Sequence, residues 1–458
     1  MAELAQQPGA FAETARVALG DANLQGALDL GTRRLYEARS RAWEGLAETE
    51  ELRETARRIR TRTIAELERH TTRFADAVEA RGGRVAFCRT REEACEYIVG
   101  VCREAGARLA VKSKSMASEE IGLNDALASA GVRAVETDLG EYLLQLAGSH
   151  PAHIVAPAIG LTKEDVARLL SDVEGKPVEP DLSALTGAAR RQLRTAFESA
   201  DIGVTGANFA VAETGSICLV TNEGNGRLVS ALPRIHIAIL GIERLVPTTA
   251  ELAVLLQLLA RSATGQALTV YTTLLTGPRG EGEVDGPDEL HVVLLDNGRS
   301  NLLSGGYREM LNCIRCGACL NVCPVYRKAG GGAYGPVYSG PMGAVLVPLL
   351  VGLEHAPALP HASSLCGACT AACPVKIPLH TLLLELRRDL VGSGVAPRSE
   401  RLAFGLWSLA WSRPWGYRLS TFLARLGKPL ARFLGPGRAW TQGRDLPPLA
   451  RRRYRDRR

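Results

Sequence analysis

The chain has 458 residues, a net charge of +6 and 46% hydrophobic residues, which exclude a disordered chain, a collagen-like fibre and a small disulfide scaffold. The sequence MAELAQQPGAFAETARV lacks the basic and apolar regions of a signal peptide, and the longest apolar run, Ala344–Leu353, is far shorter than the roughly 20 residues that span a bilayer. We therefore expect a cytoplasmic protein of two or three domains, mildly acidic over its first 390 residues and basic over the last 68, which carry 15 Lys or Arg against three acidic residues.

Residues 1–75 are expected to form a helical segment, because apolar residues recur three and four apart in Leu30–Trp43 and Glu50–Phe74. Over residues 76–300, short apolar runs alternate with helical patterns, which predicts an open α/β domain with a largely parallel sheet. The predicted strands are Val85–Cys88, Leu109–Val111, Val132–Glu136, Ile154–Ala156, Ile202–Thr205, Ile217–Thr221, Ile235–Leu240, Leu268–Thr272 and Leu290–Leu295. The predicted helices of this domain include Glu92–Ala105, Ile121–Ala130, Lys163–Leu170 and Thr249–Leu259.

Residues 301–390 hold seven of the 11 cysteines and are predicted to be a small, mostly helical ferredoxin domain with two clusters. Residues 391–458 form a basic tail that is rich in arginine and holds four of the five tryptophans. The four remaining cysteines, Cys88, Cys95, Cys102 and Cys218, are interpreted as buried and inert.

The two cysteine motifs carry the strongest chemical signal in the sequence. The first is Cys313-x2-Cys316-x2-Cys319-x3-Cys323-Pro, and the second is Cys366-x2-Cys369-x3-Cys373-Pro. The first is the spacing of bacterial ferredoxins, in which three thiolates surround one cubane cluster and the fourth binds the other cluster. Zinc, the alternative metal, usually binds to two C-x2-C pairs per ion. The motifs therefore predict two [4Fe–4S] clusters, and two neighbouring clusters favour electron transfer over a purely structural role.

Exchange of the last cysteine between the motifs predicts the ligands of each cluster. The first cluster is assigned Cys313, Cys316, Cys319 and Cys373, and the second is assigned Cys323, Cys366 and Cys369. The fourth position of the second cluster is occupied by Ser363. Three possibilities stay open there: a [3Fe–4S] centre, a [4Fe–4S] centre with Ser363 or another non-cysteine ligand, or an open iron site.

Polar residues follow several of the predicted strands, where open α/β sheets bind their ligands. Lys112 or Lys114 could neutralise a carboxylate or phosphate, and Glu213 and Lys112 are the candidate catalytic residues. The other members of this group are Glu136, Asp138, Asn208, Ser216, Asn222, Glu223 and Asn225. A different interpretation is that these residues form turns and helix caps. No dinucleotide fingerprint or P-loop accompanies them, since Glu223–Leu228 lacks the third glycine of the fingerprint.

Long stretches of the sequence resemble the lactate-utilisation protein B family, the iron–sulfur proteins among those that carry the lactate-utilisation domain. The resemblance covers nearly the whole chain and includes the serine at Ser363. It rests on KSKSMASEEIGLN from Lys112, ETDLGEY from Glu136, TGANFAVAETGSICLVTNEGNGRL from Thr205, and the segments CIRCGACLNVCPVYR and SLCGACTAACPVKIP. The cysteine segment, with Tyr326 and GPVYSGPMGAVL, is also similar to the ferredoxin modules of heterodisulfide-reductase and glycolate-oxidase subunits.

The resemblance implies an α/β domain similar to ribose-5-phosphate isomerase and CoA-transferases. It also implies that the protein acts with two partner proteins in oxidising L-lactate to pyruvate, as an electron-transfer subunit that allows growth on lactate. A rival hypothesis makes the α/β domain itself the catalytic site for a 2-hydroxy acid, with the clusters as electron acceptor. A third makes the protein a redox-sensing assembly factor.

The basic tail has three candidate roles. Its mixture of Trp, Leu, Phe and Arg from Arg398 to Lys428, followed by the basic run Arg451–Arg458, is typical of a surface that docks a partner subunit or makes peripheral contact with a membrane. The third candidate is a passive tail. Nucleic-acid binding is not expected, because no recognition motif accompanies the charge.

Overall fold

The computed structural model describes residues 10–149, 151, 153–335, 337–395 and 398–431, with side chains described for all of these except 398 and 427–431. The described chain divides after Asp389 into two compact units. The first contains the predicted helical segment, the α/β domain and the cysteine segment, and the second begins at Leu390. Trp440 and the basic run Arg451–Arg458 lie outside the described residues.

Four helices precede the first strand, in agreement with the periodicity of the N-terminal segment. The predicted helix Glu50–Phe74 is divided in two at Glu66, whose φ of −111° departs from helical geometry. The four helices are α1 (Ala10–Gly20), α2 (Ala22–Glu44), α3 (Thr49–Ala65) and α4 (Leu67–Glu79).

The α/β domain is built on a six-stranded sheet in which every neighbouring pair is parallel, as the alternating pattern predicts. Its strands are β1 (Arg84–Cys88), β2 (Leu109–Lys112), β3 (Arg133–Glu136), β4 (Ile202–Gly206), β7 (Ile235–Gly241) and β10 (Glu289–Leu295). They lie in the order β1-β10-β7-β4-β2-β3. The connections reverse direction between β2 and β4, which is where doubly wound sheets open a crevice for a ligand.

A second, four-stranded sheet lies beside the first and has the order β8-β5-β6-β9. Its strands are β5 (Phe209–Val211), β6 (Ser216–Thr221), β8 (Leu245–Val246) and β9 (Tyr271–Leu275). Strand β6 pairs antiparallel with β5 and β9, and β5 pairs parallel with β8. The strands β5 and β8 have only three and two residues, too few to show the alternation by which strands are predicted.

Eight helices surround the two sheets, and most begin at a side-chain cap such as Thr90, Asp138 or Thr248. They are α5 (Arg91–Glu104), α6 (Met116–Glu120), α7 (Leu123–Ser129), α8 (Leu139–Leu146), α9 (Lys163–Glu174), α10 (Leu182–Ser199), α11 (Asn225–Ala231) and α12 (Thr249–Ala263).

One predicted strand, Ile154–Ala156, is wrong. The imidazole Nδ1 of buried His153 accepts the backbone N–H groups of Val155 and Ala156, at 3.0 and 3.1 Å. These donors are therefore satisfied by a side chain instead of a neighbouring strand. The predicted strand Leu268–Thr272 also begins three residues later than expected, as β9.

The cysteine segment is mostly helical, as predicted. Its helices are α13 (Ala318–Asn321), α14 (Tyr326–Ala329), α15 (Gly340–Val351), α16 (Ala368–Ala372) and α17 (Leu379–Gly392), together with short 3₁₀ turns. The largest hydrophobic core combines residues of the N-terminal helices, the second sheet and the cysteine segment. The three domains predicted within the first unit thus share one core, and their exact boundaries stay a prediction.

The C-terminal unit contains two basic, aromatic helices, α18 (Arg398–Ser412) and α19 (Pro414–Ala431). Trp411 contacts both Trp407 and Tyr417, with ring centroids 5.4 and 5.1 Å apart. Trp415 is 64% exposed, and many other apolar residues of both helices are exposed as well. Within the described residues, no helix is long and apolar enough to cross a membrane.

Candidate metal centres and the adjoining cavity

The four cysteines predicted to hold the first cluster line one cavity, which we call the thiol cavity. They are Cys313, Cys316, Cys319 and Cys373, and they come from both motifs. Hydrophobic residues, including Ile314, Met342, Val375 and Ile377, complete the wall. The four thiols that the predicted exchange assigns to the first cluster therefore lie close together.

The chemistry of this thiol set fits a cubane cluster. Backbone N–H groups point at two of the sulfurs, with Arg315 N 3.4 Å from Cys313 Sγ and Ile377 N 3.3 Å from Cys373 Sγ. Such N–H groups stabilise the negative charge on cluster sulfurs. Burial raises the pKa of the Cys316 and Cys373 thiols to about 12, so a bound cationic group would favour their thiolate forms. Within the described residues, no three side chains converge on a single metal ion, and a cubane holds its thiolates further apart than one ion does.

The three cysteines assigned to the second cluster also lie together. Burial, together with the neighbouring Cys323 and Cys366 thiols, raises the pKa of Cys369 to about 11. Cys366 is exposed, and the backbone N–H of Ala368 lowers its pKa. Burial raises the pKa of Cys319, in the first set, and Cys369 lies close enough to add to that rise. The two sets are therefore adjacent.

The two motifs share one backbone conformation. Residues Arg315 and Leu365 have φ values of 58° and 56°, and the following glycines Gly317 and Gly367 have φ values of 75° and 79°. A side chain would be strained at these glycines, and this conformation, together with close approach to a cluster, accounts for glycine there. The Oγ of Ser363 accepts the N–H of Leu365 at 3.1 Å, as Cys313 Sγ accepts that of Arg315. Ser363 thus occupies the place in the second motif that Cys313 occupies in the first.

A larger cavity of about 360 Å³, which we call the sheet-edge cavity, lies at the carboxyl ends of the parallel strands. Its wall includes residues that end or follow β2, β4, β7 and β10, namely Ser113–Ala117, Gly206–Asn208, Gly241, Glu243, Arg244 and Arg299. Ile154, Arg315 and Cys316 line both this cavity and the thiol cavity. The candidate ligand site of the α/β domain therefore adjoins the candidate site of the first cluster.

A buried charge network lies beside these two cavities. The guanidinium of Arg299 is bonded to Glu120 Oε2 and Glu243 Oε2, each at 2.7 Å. Arg315, between two cluster cysteines, lies 3.2 Å from Glu243 Oε1, and its guanidinium stacks 4.8 Å from the ring centroid of Tyr338. Burial opposes ionisation of Glu243, but the arginines outweigh it and lower its pKa to about 2.

Two further arginines lie in this region, and neither has a carboxylate within ion-pair distance among the described residues. Arg60, on α3, is fully buried and donates to the carbonyls of Leu245 at 2.7 Å, Leu311 at 3.0 Å and Asn312 at 3.3 Å. Burial lowers the pKa of Arg244 to about 10, with a further contribution from the charge of Arg315. Four arginines thus surround the two carboxylates Glu120 and Glu243, which suits an anionic cluster nearby.

The structure separates the two residues predicted to be catalytic from the sheet-edge cavity. Lys112 is fully buried, and its Nζ lies 2.7 Å from Glu136 Oε1 and 2.5 Å from Asn124 Oδ1. Glu213 Oε1 accepts the backbone N–H of Thr249, at the start of α12. Neither residue is part of the cavity wall, so the geometry gives no support to their catalytic role.

Most of the other predicted polar residues are brought together. Lys114, Asp138, Asn208, Asn222, Glu223 and Asn225 all line the sheet-edge cavity, whereas Glu136 and Ser216 do not. Sequence reasoning missed Arg244, Arg299 and Glu243. A usable signal existed for two of them, because Glu243 and Arg244 directly follow the correctly predicted strand Ile235–Leu240.

Comparisons with known proteins agree with this architecture. Three family models match the chain: the LUD domain over residues 71–295, the 4Fe-4S dicluster domain over 309–377 and the lactate utilisation protein B C-terminal domain over 387–458. Lactate utilization protein B of Bacillus pumilus is 48% identical, covering 98% of this chain and 96% of its own. The chain belongs to the lactate utilisation protein B family. It therefore has an iron–sulfur role in lactate utilisation.

Other relatives extend this result. The proteins of the same name from Bacillus thuringiensis and Bacillus cereus are each 47% identical, covering 95% of this chain and 94% of their own. Among solved structures, a DUF162 family protein from Deinococcus radiodurans covers 50% of this chain and 98% of its own at 17% identity, with a TM-score of 0.29. That score is too low to support an argument about this molecule.

Proposed function

We propose that this protein is the iron–sulfur electron-transfer subunit of a system that oxidises L-lactate to pyruvate. The observation that carries the proposal is that Cys316 lines both the thiol cavity and the sheet-edge cavity. An electron that enters from a molecule beside the α/β domain would have only the shared wall to cross. When bound, the two clusters supply one-electron carriers, so together they match the two electrons that lactate releases.

The proposal keeps the predicted ligand sets. The first cluster would be held by Cys313, Cys316, Cys319 and Cys373, and the second by Cys323, Cys366 and Cys369. Ser363 lies at the fourth position of the second set. We propose that this set holds a [4Fe–4S] cluster, and a three-iron signal in the oxidised protein would instead indicate a [3Fe–4S] centre. Proximity of Cys319 to Cys369 supports transfer between the two sets.

A route for electrons follows from the exposure of the two sets. Cys316, Cys319 and Cys373 are buried, and Cys316 lines the sheet-edge cavity, whereas Cys366 is exposed. We therefore assign the first cluster to the cavity side and the second to exchange with a partner at the surface. The two partner proteins expected from the resemblance belong to this proposal, as does a cytoplasmic location, where thiols stay reduced.

Electron paramagnetic resonance of the anaerobically purified protein tests the proposal. Spectra are recorded before and after addition of L-lactate, with and without the two partner proteins, and D-lactate serves as the matched control. Reduced-cluster signals that appear with L-lactate only when the partners are present are expected. Clusters that stay oxidised in the complete system while pyruvate accumulates would overturn the relay role.

The rival hypothesis places lactate oxidation in the α/β domain itself, and the position of the sheet-edge cavity next to Cys316 favours it over the role of a redox-sensing assembly factor. Oxidation would release two electrons, one to each cluster, and two protons. Cluster reduction by L-lactate in the absence of partners would support this rival. Glu213→Gln then decides whether Glu213 is catalytic, since a residue that only caps α12 should leave the rate of reduction unchanged.

For the C-terminal region we propose docking to a partner subunit, with peripheral membrane contact as the second candidate. The exposed Trp407 and Trp415 and the absence of acidic residues in 401–426 support an interaction surface. A chain truncated after Val391 is expected to lose co-purification with its partners. Retention of both co-purification and membrane association would remove both functional roles and leave a passive tail.

A further inference from the structure

The sheet-edge cavity is larger than a three-carbon acid requires. Its volume of about 360 Å³ falls in the range of sites that enclose drug-sized ligands. Much of its wall is apolar, with Leu219, Ile239, Leu259 and Ala263 among its members. A ligand that filled this space would need an apolar body as well as a polar group.

Arg244 is a charged residue of the cavity wall, in addition to Lys114, Asp138 and Glu223. It follows β7, at the carboxyl edge of the sheet, and its Nη1 lies 3.5 Å from the carbonyl oxygen of Cys313. A guanidinium has five N–H donors, and this long contact uses one of them. Arg299 and Arg315 each face Glu243, whereas Arg244 has no carboxylate within ion-pair distance in the described part of the chain.

Asn208 adds a neutral donor to the same wall. Its Oδ1 accepts the backbone N–H of Val220 at 2.9 Å, which fixes the orientation of the carboxamide. With the oxygen held in this way, the Nδ2 group is the part of the carboxamide that can serve a ligand. The cavity thus offers a cation with unused donors, an oriented amide and an apolar surface.

The geometry points to a binding site for an organic carboxylate with an apolar body, whose carboxylate pairs with Arg244 next to Cys316. Arginine binds carboxylates through two parallel N–H···O bonds, which suits a planar anion better than a point charge. This inference deepens the proposed function, because it rests on a cluster at Cys316. A bound carboxylate would add negative charge beside that cluster and change its spectrum and potential.

Isothermal titration calorimetry on the anaerobically purified full chain tests the binding site without partners or turnover. The probes are phenylpyruvate, pyruvate and inorganic phosphate, which separate the apolar body from the carboxylate and from other oxyanions. Saturable binding of phenylpyruvate that is tighter than that of the other two is expected. Binding of phosphate as tight as that of phenylpyruvate, or no saturable binding of any probe, would overturn the inference.

Two variants test whether the ligand binds in the sheet-edge cavity. Arg244→Gln is expected to weaken phenylpyruvate binding by about tenfold or more, since a charge-assisted pair is lost. Ala263→Leu should weaken phenylpyruvate but not pyruvate, because it removes apolar space, and it keeps the test decisive if Arg244→Gln does not fold. Arg194→Gln, at an exposed ion pair, is the matched control and should bind as the parent does. Unchanged phenylpyruvate binding in both cavity variants would overturn the inference.

A spectroscopic measurement separates this inference from the proposed function. Phenylpyruvate added to the dithionite-reduced protein should shift the signal of one cluster, and Arg244→Gln should abolish the shift. A protein that binds phenylpyruvate but never reduces its clusters with L-lactate would refute the relay and retain the site. A protein that relays electrons but shows neither binding nor a shift would refute the site alone.

Discussion

The two cysteine motifs have the same backbone but different surroundings. Arg315 and Leu365 share a left-handed conformation, and Cys313 and Ser363 each accept the N–H of the second residue along the chain. Three of the four cysteines of the first motif are buried, and the motif lies near the arginines of the α/β domain, whereas the second presents Cys366 to the surface. The same loop conformation therefore occurs twice, once beside a cavity and once at the surface, where a partner can reach it.

The first motif also has more positive charge near its cysteines than the second. Burial lowers the pKa of both Arg315 and Arg244, and the thiolate charge of nearby Cys313 raises it. In Arg315 the raising influences prevail, whereas in Arg244 burial prevails. Among the described residues, no cation is one of the main influences on the pKa of Cys323, Cys366 or Cys369. Since a reduced cluster carries one more negative charge, we expect the arginines to favour reduction of the first cluster.

The strongest test of this difference is removal of one ligand from each motif. Cys316→Ser should lose the first cluster and much of the thermal stability of the protein, because Cys316 is buried in the main core. Cys366→Ser should lose the second cluster with a smaller fall in melting temperature, because Cys366 is exposed. Iron content, cluster spectra and thermal unfolding measure both effects. Cys95→Ser, outside both motifs, is the control, and equal losses of stability in the two ligand variants would contradict the difference.

A second test compares the arginines that hold the two motifs. Arg60 donates to the carbonyls of Leu311 and Asn312, just before the first motif, and Arg387 donates to the carbonyls of Pro360 and Ser363, each at 2.8 Å. Arg60→Met should lower the free energy of unfolding by about 3 kcal/mol, because several buried carbonyls lose a charged donor.

Arg387→Met should cost about 1 kcal/mol, since Arg387 is only half-buried and its carbonyls can turn to water. Denaturant unfolding followed by circular dichroism measures both values. A larger loss for Arg387→Met than for Arg60→Met would show that the second motif, not the first, is the more firmly held.

The fold was largely predictable from sequence because its signals are local. Strands such as Ile235–Leu240 and Leu290–Leu295 are apolar apart from one histidine each, as expected for a parallel sheet buried on both faces. The failure at Ile154–Ala156 arose from a side chain, since His153 takes the backbone donors that a strand would have used. Whether the backbone N–H groups bond to a side chain or to a neighbouring strand depends on tertiary structure, because His153 takes this position only when it is buried in the fold.

The candidate site was only partly predictable. The cysteine spacing specified which thiols should lie together, because the motif itself encodes the geometry of the cluster. The contacts of Lys112 and Glu213 could not be predicted from their positions after strands. Lys112 is held by Glu136 from the neighbouring strand, and Glu213 by the N-terminus of a helix 36 residues later. Likewise, the pairing of Arg299 with Glu120 joins residues 179 apart.

The order of iron loss provides a third, kinetic test. Because Cys366 is exposed and three of the four cysteines of the first set are buried, a chelator with an oxidant such as ferricyanide should remove the second cluster first. Electron paramagnetic resonance at successive times would follow the two signals separately. Once the second cluster is lost, the exposed thiol of Cys366, whose pKa is lowered, should be alkylated by iodoacetamide before the other six cysteines of the motifs. Simultaneous loss of both clusters would indicate that they are equally accessible.

The smallest change tests whether Ser363 really corresponds to Cys313. Ser363→Cys should place a thiol where the N–H of Leu365 already points, and so complete a second set of four cysteines. We expect the variant to hold a [4Fe–4S] cluster that shows no three-iron signal after brief exposure to air, with little change in the melting temperature. Ser363→Ala, which removes the oxygen and leaves the loop, is the control and should increase the three-iron signal if the serine binds iron. If Ser363→Cys leaves the spectrum of the second cluster unchanged while Ser363→Ala is also silent, the fourth ligand lies elsewhere, and the two motifs differ in more than one atom.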